Sequence, residues 1–121
     1  MKSSLRGGIV AACAAALLVA GTSSASAKPG VPYIQYGDSG PAVKCVQLLY
    51  NNWKVRIDGP TINILNPDGV FGNDTLSKIK DYQSRIGSTP DGIVGPDTGS
   101  SLQQWQDGNT AYCWNYVPTY V

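Results

Sequence analysis

The carboxylates of this chain are the first place to look for chemistry. All eight acidic residues are Asp, none is Glu, and the sequence contains no His. Without His the commonest metal ligand and general base is missing, so zinc hydrolysis and triad catalysis lose their usual centre. Paired Asp side chains could still cleave a glycosidic bond, given two carboxyls roughly 5 to 9.5 Å apart across a cleft, one of raised pKa. Here Asp58, Asp68 and Asp91 each precede a Gly, a pairing that builds tight turns. Asp74 and Asp97 fall in first helical turns, where a carboxylate meets the positive end of the helix. Each has a local structural task. The expectation is therefore a non-catalytic chain with no cofactor and no metal.

Sulfur is the second candidate chemistry. Of three Cys, Cys13 lies inside an apolar run, which leaves Cys45 and Cys113, 68 positions apart. The apolar run belongs to a segment with the layout of a secretory signal peptide: Lys2 and Arg6, then residues 9–20, then Ala25-Ser26-Ala27 for cleavage. The run is too short for a stable membrane span, and Cys13 lies within it rather than after it, unlike a lipoprotein box. Removing residues 1–27 would leave 94 residues with seven basic and eight acidic side chains and all eleven aromatics. Outside the cell, two thiols most simply pair, and the chain-entropy estimate for such a loop is roughly 4 kcal/mol. Two free thiols or an intermolecular pair is the alternative. The near balance of charge gives no basic field for nucleic acid or anionic lipid.

These residues need elements to hold them. Residues 28–36, with Pro29, Gly30 and Pro32, read as an extended leader. Helical patterns then follow Gly40-Pro41 over residues 42–52, Gly72-Asn73 over 74–86, and Gly95-Pro96 over 97–105. The first carries Val43, Val46, Leu49, Tyr50 and Trp53 at steps of three and four, with Cys45 just off that stripe. The second shows Leu76, Ile79, Tyr82 and Ile86 on one face and ends at Gly87. The third, with Gly99, Ser100 and Ser101, is weaker and points Leu102 and Trp105 inward. Residues 54–65, rich in Val, Ile and Thr around Asp58-Gly59-Pro60, suit either a short hairpin or a long loop. Residues 107–121 hold Tyr112, Trp114, Tyr116 and Tyr120 beside Cys113 without helical period, and are expected to lie across the first helix.

An internal repeat is the sharpest signal. Residues 67–75 and 90–98 share Pro, Asp, Gly, Gly, Asp and Thr at matching positions, 23 residues apart. In each copy Asp-Gly makes the turn, Val70 or Ile93 is expected to bury, and Thr75 or Thr98 to bond back toward the turn.

The run Gly37-Asp38-Ser39-Gly40-Pro41-Ala42-Val43-Lys44-Cys45-Val46-Gln47, then Asp68-Gly69-Val70-Phe71-Gly72 with Thr75, Tyr82-Gln83, and Asp91-Gly92-Ile93-Val94-Gly95 with Thr98, resembles the peptidoglycan-binding type 1 domain. The resemblance covers about residues 36–104. It implies a small three-helix bundle that holds bacterial cell-wall polymer, usually as an accessory to a wall hydrolase. It also implies that Gln47, Asp68, Gly69, Gly72, Thr75, Gln83, Asp91, Gly92, Gly95 and Thr98 are motif positions, which the physical reading makes mainly scaffold. Departures are a longer stretch at residues 53–66, Cys45 in place of an ordinary side chain, the small Gly99, and the tail, which lies outside the resemblance. The expected organisation is a signal peptide (1–27), a leader (28–36), the three-helix domain (37–106) and an aromatic tail packed on it (107–121). No catalytic domain is visible in the 121 residues.

For a ligand, sugar rings pack apolar C–H faces on aromatic rings, and carboxylates of stem peptides take forked hydrogen bonds from Arg. The candidates are Tyr50, Trp53 and Trp105 with Arg56 and Arg85. Helical spacing favours placing those three rings in the core instead, and Trp114 and Tyr116 either cover core or form a sugar platform. The expected protein is a secreted, cell-wall-associated monomer binding peptidoglycan through glycan strand or stem peptide, with no nucleic acid and no membrane span after cleavage. The alternatives are a protein-interaction or hydrolase-inhibiting module on the same fold, or binding to another polysaccharide such as chitin.

Overall fold

A computed structural model describes residues 26–59 and 63–121; residues 1–25, most of the expected signal peptide, lie outside the described part. Three α-helices carry the fold: α1 Pro41–Asp58, α2 Asn73–Arg85 and α3 Pro96–Gln103, followed by a 3-10 helix Ala111–Asn115. Among the described residues there is no β-strand, only three isolated bridges, and no helix long and apolar enough to cross a membrane.

Each helix starts where the sequence marks it. Pro takes the first position of α1 and α3, where its missing N–H needs no partner, and Asp74 and Asp97 occupy the first turns of α2 and α3. Helix α2 ends in a Schellman motif: Ser88 N–H donates to the Gln83 carbonyl at 2.9 Å and Gly87 N–H to the Ser84 carbonyl at 3.3 Å.

Helix α1 runs six residues past its expected end, and this removes the hairpin. Trp53 continues the inward stripe and is only 4% exposed. Lys54 Nζ lies 2.5 Å from Asp58 Oδ2, an i,i+4 pair that stabilises the last turn. Residues 54–58, expected as hairpin or loop, are therefore helical. The chain then returns to α1, where Asn51 donates to the Leu65 carbonyl at 2.8 Å and accepts from Leu65 N–H at 2.7 Å.

The core gathers Val43, Val46, Leu49, Tyr50 and Trp53 of α1, Ile79 and Tyr82 of α2, and Leu102 of α3, closed by Leu65, Phe71, Val94, Ile34 and Val117. Tyr50, Trp53 and Tyr82 form an aromatic row, with Trp53 edge-on to Tyr82 at 4.8 Å between centroids. Cys45 and Cys113 form a disulfide and are fully buried, so the 3-10 helix is bolted to α1. Past it, Val117 is buried and Pro118 presses on α3 so closely that a Cβ built on Gly99 would sit 1.7 Å from the Pro118 carbonyl oxygen. Gly99 is thus the recess that receives the tail.

Candidate functional site

The two repeats form two equivalent joints, each held by one glutamine. Gln47 on α1 donates through Nε2 to Asp68 Oδ1, the Val70 carbonyl and Thr75 Oγ1, each at 3.1 Å, and accepts from Gly69 N–H at 2.9 Å. Gln83 on α2 does the same one joint later. Its Nε2 donates to Asp91 Oδ1, the Ile93 carbonyl and Thr98 Oγ1, each at 3.0 Å, while Gly92 N–H donates to its Oε1 at 2.8 Å. Asp68 and Asp91 also accept from the backbone two residues on, Val70 N–H and Ile93 N–H, at 2.9 Å. The N–H bonds from Val70 and Gln47 hold the Asp68 carboxyl below its ordinary range. Both turn glycines have positive φ, +75° at Gly69 and +76° at Gly92, a backbone that Cβ-bearing residues rarely adopt.

The burial expected at the joints is corrected. Val70 does not bury: it is 54% exposed and Ile93 is half-buried, while Phe71 and Val94, one residue on, are 1% and 0% exposed. The reason is the segment that precedes α1. Residues 34–40 run past both joints, and Asp38 O accepts Phe71 N–H at 2.9 Å while Ile34 O accepts Val94 N–H at 2.8 Å. That pairing turns the second apolar residue of each turn inward. Thr75 Oγ1 does bond back to the Val70 carbonyl, at 3.5 Å, and it also accepts from Gln47 Nε2 at 3.1 Å. Thr98 likewise meets Gln83.

The five candidate ligand residues occupy different surroundings. Tyr50 is fully buried, its hydroxyl has no hydrogen-bond partner, and burial reinforced by nearby carboxylates pushes its pKa up to about 12. Trp53 is buried in the aromatic row, so neither ring offers a face to a sugar. Arg85 lies 5.5 Å from the Trp53 ring and pairs with Asp58 at 3.5 Å and Asp81 at 3.6 Å. Arg56 and Trp105 alone share a cleft. The guanidinium stands 6.0 Å from the half-exposed indole, in a groove of about 490 Å³ bounded also by Asn51, Asn52, Val55, Gln106 and Asp107. Asn52 donates to the Trp105 carbonyl at 2.9 Å and so fixes the far wall to α1. Asp107 accepts from Thr110 and from Asn109 N–H, which keeps its carboxyl charged well into acid. The groove thus sets a cation, a carboxylate, three amides and an aromatic edge around one opening. Asn52, Gln106 and Asp107 escaped the sequence reading; the i,i+4 spacing of Asn52 and Arg56 was the available signal.

Three helices joined by two glutamine-clasped Asp-Gly turns form a small helical module. The chain belongs to the peptidoglycan-binding domain family: residues 39–102, more than half of it, match the family described as "Putative peptidoglycan binding domain". Among solved structures, the chain is similar to the SleB N-terminal domain, at 29% identity over 60% of this chain and 90% of that one, with a TM-score of 0.48. It is also similar to the L,D-transpeptidase (residues 123-326) from Xylanimonas cellulosilytica DSM 15894, at 28% identity and TM-score 0.51. That likeness covers 66% of this chain but only 36% of the transpeptidase chain. No curated protein sequence matches.

Proposed function

We propose that this protein is a secreted, non-catalytic module that holds peptidoglycan in the groove between α1 and the exit of α3. The supporting observation is that this groove brings the Arg56 guanidinium and the Trp105 indole to one opening in a member of a peptidoglycan-binding family. Arg56 supplies forked donors suited to a stem-peptide carboxylate, and the open part of Trp105 suits the C–H face of a sugar. Tyr50 and Trp53 then serve from the core side by fixing α1, and Arg85, engaged by Asp58 and Asp81, stands in reserve. The carboxylates support a binding role over cleavage, since Asp68 and Asp91 are committed to their turns.

Co-sedimentation with purified, protein-free peptidoglycan tests the reading. The protein is expected in the pellet, and a folded R56A/W105A variant in the supernatant. Wild-type protein left in the supernatant overturns the function, and an unaffected variant overturns the groove. Clearing of a sacculus suspension by the protein would refute the non-catalytic part.

A further inference from the structure

The internal repeat supplies its own control, because the same hollow forms at both joints and only one is elaborated. At the first joint a hollow of about 190 Å³ opens beside Asp68, Gly72, Asp74 and Thr75, with no aromatic residue in its wall. At the second, the equivalent hollow beside Asp91, Gly95, Asp97 and Thr98 grows to about 260 Å³ and gains Tyr33 and Tyr120. Tyr33 comes from the leader and Tyr120 from the tail, both outside the family-matched residues 39–102.

Both rings are exposed yet firmly mounted. Tyr33 is 56% and Tyr120 40% accessible. Next to Tyr33, Ile34 and Val94 exchange two backbone hydrogen bonds, at 3.1 and 2.8 Å. The Tyr33 ring also covers Gly95, whose missing side chain leaves the space: a Cβ there would stand 3.0 Å from the ring. Tyr120 N–H donates to Ser100 Oγ at 2.9 Å, and Tyr120 bridges Ala27. Burial would shelter these rings better; instead the backbone presents them to solvent around a polar floor. That floor holds Ser88, Thr89, Asp91 and Asp97, and no Lys or Arg lines it. Among the described residues the side chains of Ser88, Thr89 and Asp97 form no hydrogen bond or ion pair with the protein, so their oxygens are available to a ligand.

Aromatic walls with hydroxyl and carboxylate acceptors, and no cation, select a neutral ligand rich in O–H and N–H donors with apolar C–H faces. We propose that the second joint is a saccharide subsite for the N-acetylated glycan strand, built by the leader and tail and separate from the Arg56–Trp105 groove. The inference rests on the peptidoglycan-binding reading and refines it: further sugars of the strand reach this hollow, which repels carboxylates, while the groove takes the stem-peptide carboxylate and the sugar that meets Trp105.

The test is amide chemical-shift mapping of the purified protein with a soluble β-1,4-linked N-acetylglucosamine tetramer, beside peptidoglycan co-sedimentation. Saturable shifts are expected at Ile93, Gly95 and Asp97. Y33A/Y120A should weaken them by about tenfold or more, with Y33F/Y120F retaining them and R56A/W105A leaving them unchanged. Unchanged shifts elsewhere in Y33A/Y120A and an unaltered melting temperature show that its fold is intact. Absence of shifts at the second joint, equal binding by Y33A/Y120A, or shifts there evoked by free stem peptide and not by the tetramer overturns the subsite. Pelleting of wild-type protein alongside any of these results leaves the wall-binding function standing, so the two failures are distinguishable.

Discussion

Substituting Gln83→Glu tests the idea that a single amide holds the second joint. The replacement changes no volume and keeps Oε1, the acceptor for Gly92 N–H. It turns Nε2 from a donor into an acceptor, facing three oxygens at 3.0 Å. The Thr98 hydroxyl can rotate to donate, but the Asp91 carboxylate and the Ile93 carbonyl cannot. Two lost hydrogen bonds cost about 1 kcal/mol each, and charge placed at a site 1% exposed beside Asp91 adds a comparable amount, so about 3 kcal/mol is expected at neutral pH. For a domain of this size that is a fall in melting temperature of about 12 to 24 °C. Protonation restores a donor toward Asp91, so the introduced carboxyl has a raised pKa in the folded state. Stability relative to wild type is then present below the ordinary Glu pKa of about 4.3 and is lost as pH rises through the folded value. Thermal unfolding by circular dichroism at pH 4 and pH 7.5, with wild type and Q83L alongside, reads this directly. A variant within about 0.5 kcal/mol of wild type at pH 7.5, or one equally damaged at both pH values, refutes the argument.

Four shorter predictions follow from the same contacts. Replacing both Cys45 and Cys113 by Ser should cost about 4 kcal/mol in denaturant titrations, and a cost under about 1 kcal/mol would show that the tail docks without its bolt. Gly99→Ala must displace Pro118, at about 1–3 kcal/mol, and should strip hydrogen-exchange protection from Lys28 N–H, which bonds the Thr119 carbonyl; full protection contradicts the packing. Phe71→Ala should lose about 3–5 kcal/mol whereas Val70→Ser stays within about 0.5, an order that equilibrium unfolding can reverse if the joint's register is misassigned. Asp58, Asp68 and Asp107 all have lowered folded pKa values, so their contribution is present above the ordinary Asp value of about 3.9 and fades as pH falls below it. Asp68→Asn should flatten part of that acid limb in a pH series of melting temperatures.

Helix starts were legible because each is written in local chemistry: Gly40-Pro41, Gly72-Asn73 and Gly95-Pro96 mark the first turns within a residue or two. The Cys45–Cys113 pairing follows from counting the thiols outside the expected signal peptide. The end of α1 differs from the reading because Asp58-Gly59-Pro60 looks like a turn, whereas Trp53 and Asp58 are held by partners distant in sequence, Tyr82 and Arg85, which local propensity cannot register. Val70 was misassigned for a related reason. A turn has no period of its own, and the bonds of residues 34–38 to Phe71 and Val94 choose which residue faces in. Of the proposed ligand residues, spacing alone could not separate Trp53 from Trp105; tertiary burial does so, leaving only the latter beside Arg56.

The backbone bond from Val121 N–H to the Ser26 carbonyl, at 3.0 Å, places the two ends of the described chain side by side. A short Gly-Ser bridge can therefore close the polypeptide into a ring, and a new opening at the exposed Gly108 would give a circular permutant with every core contact intact. In that rearranged order the disulfide would span the new termini's two sides, so reduction should loosen the permutant in a different pattern from the parent.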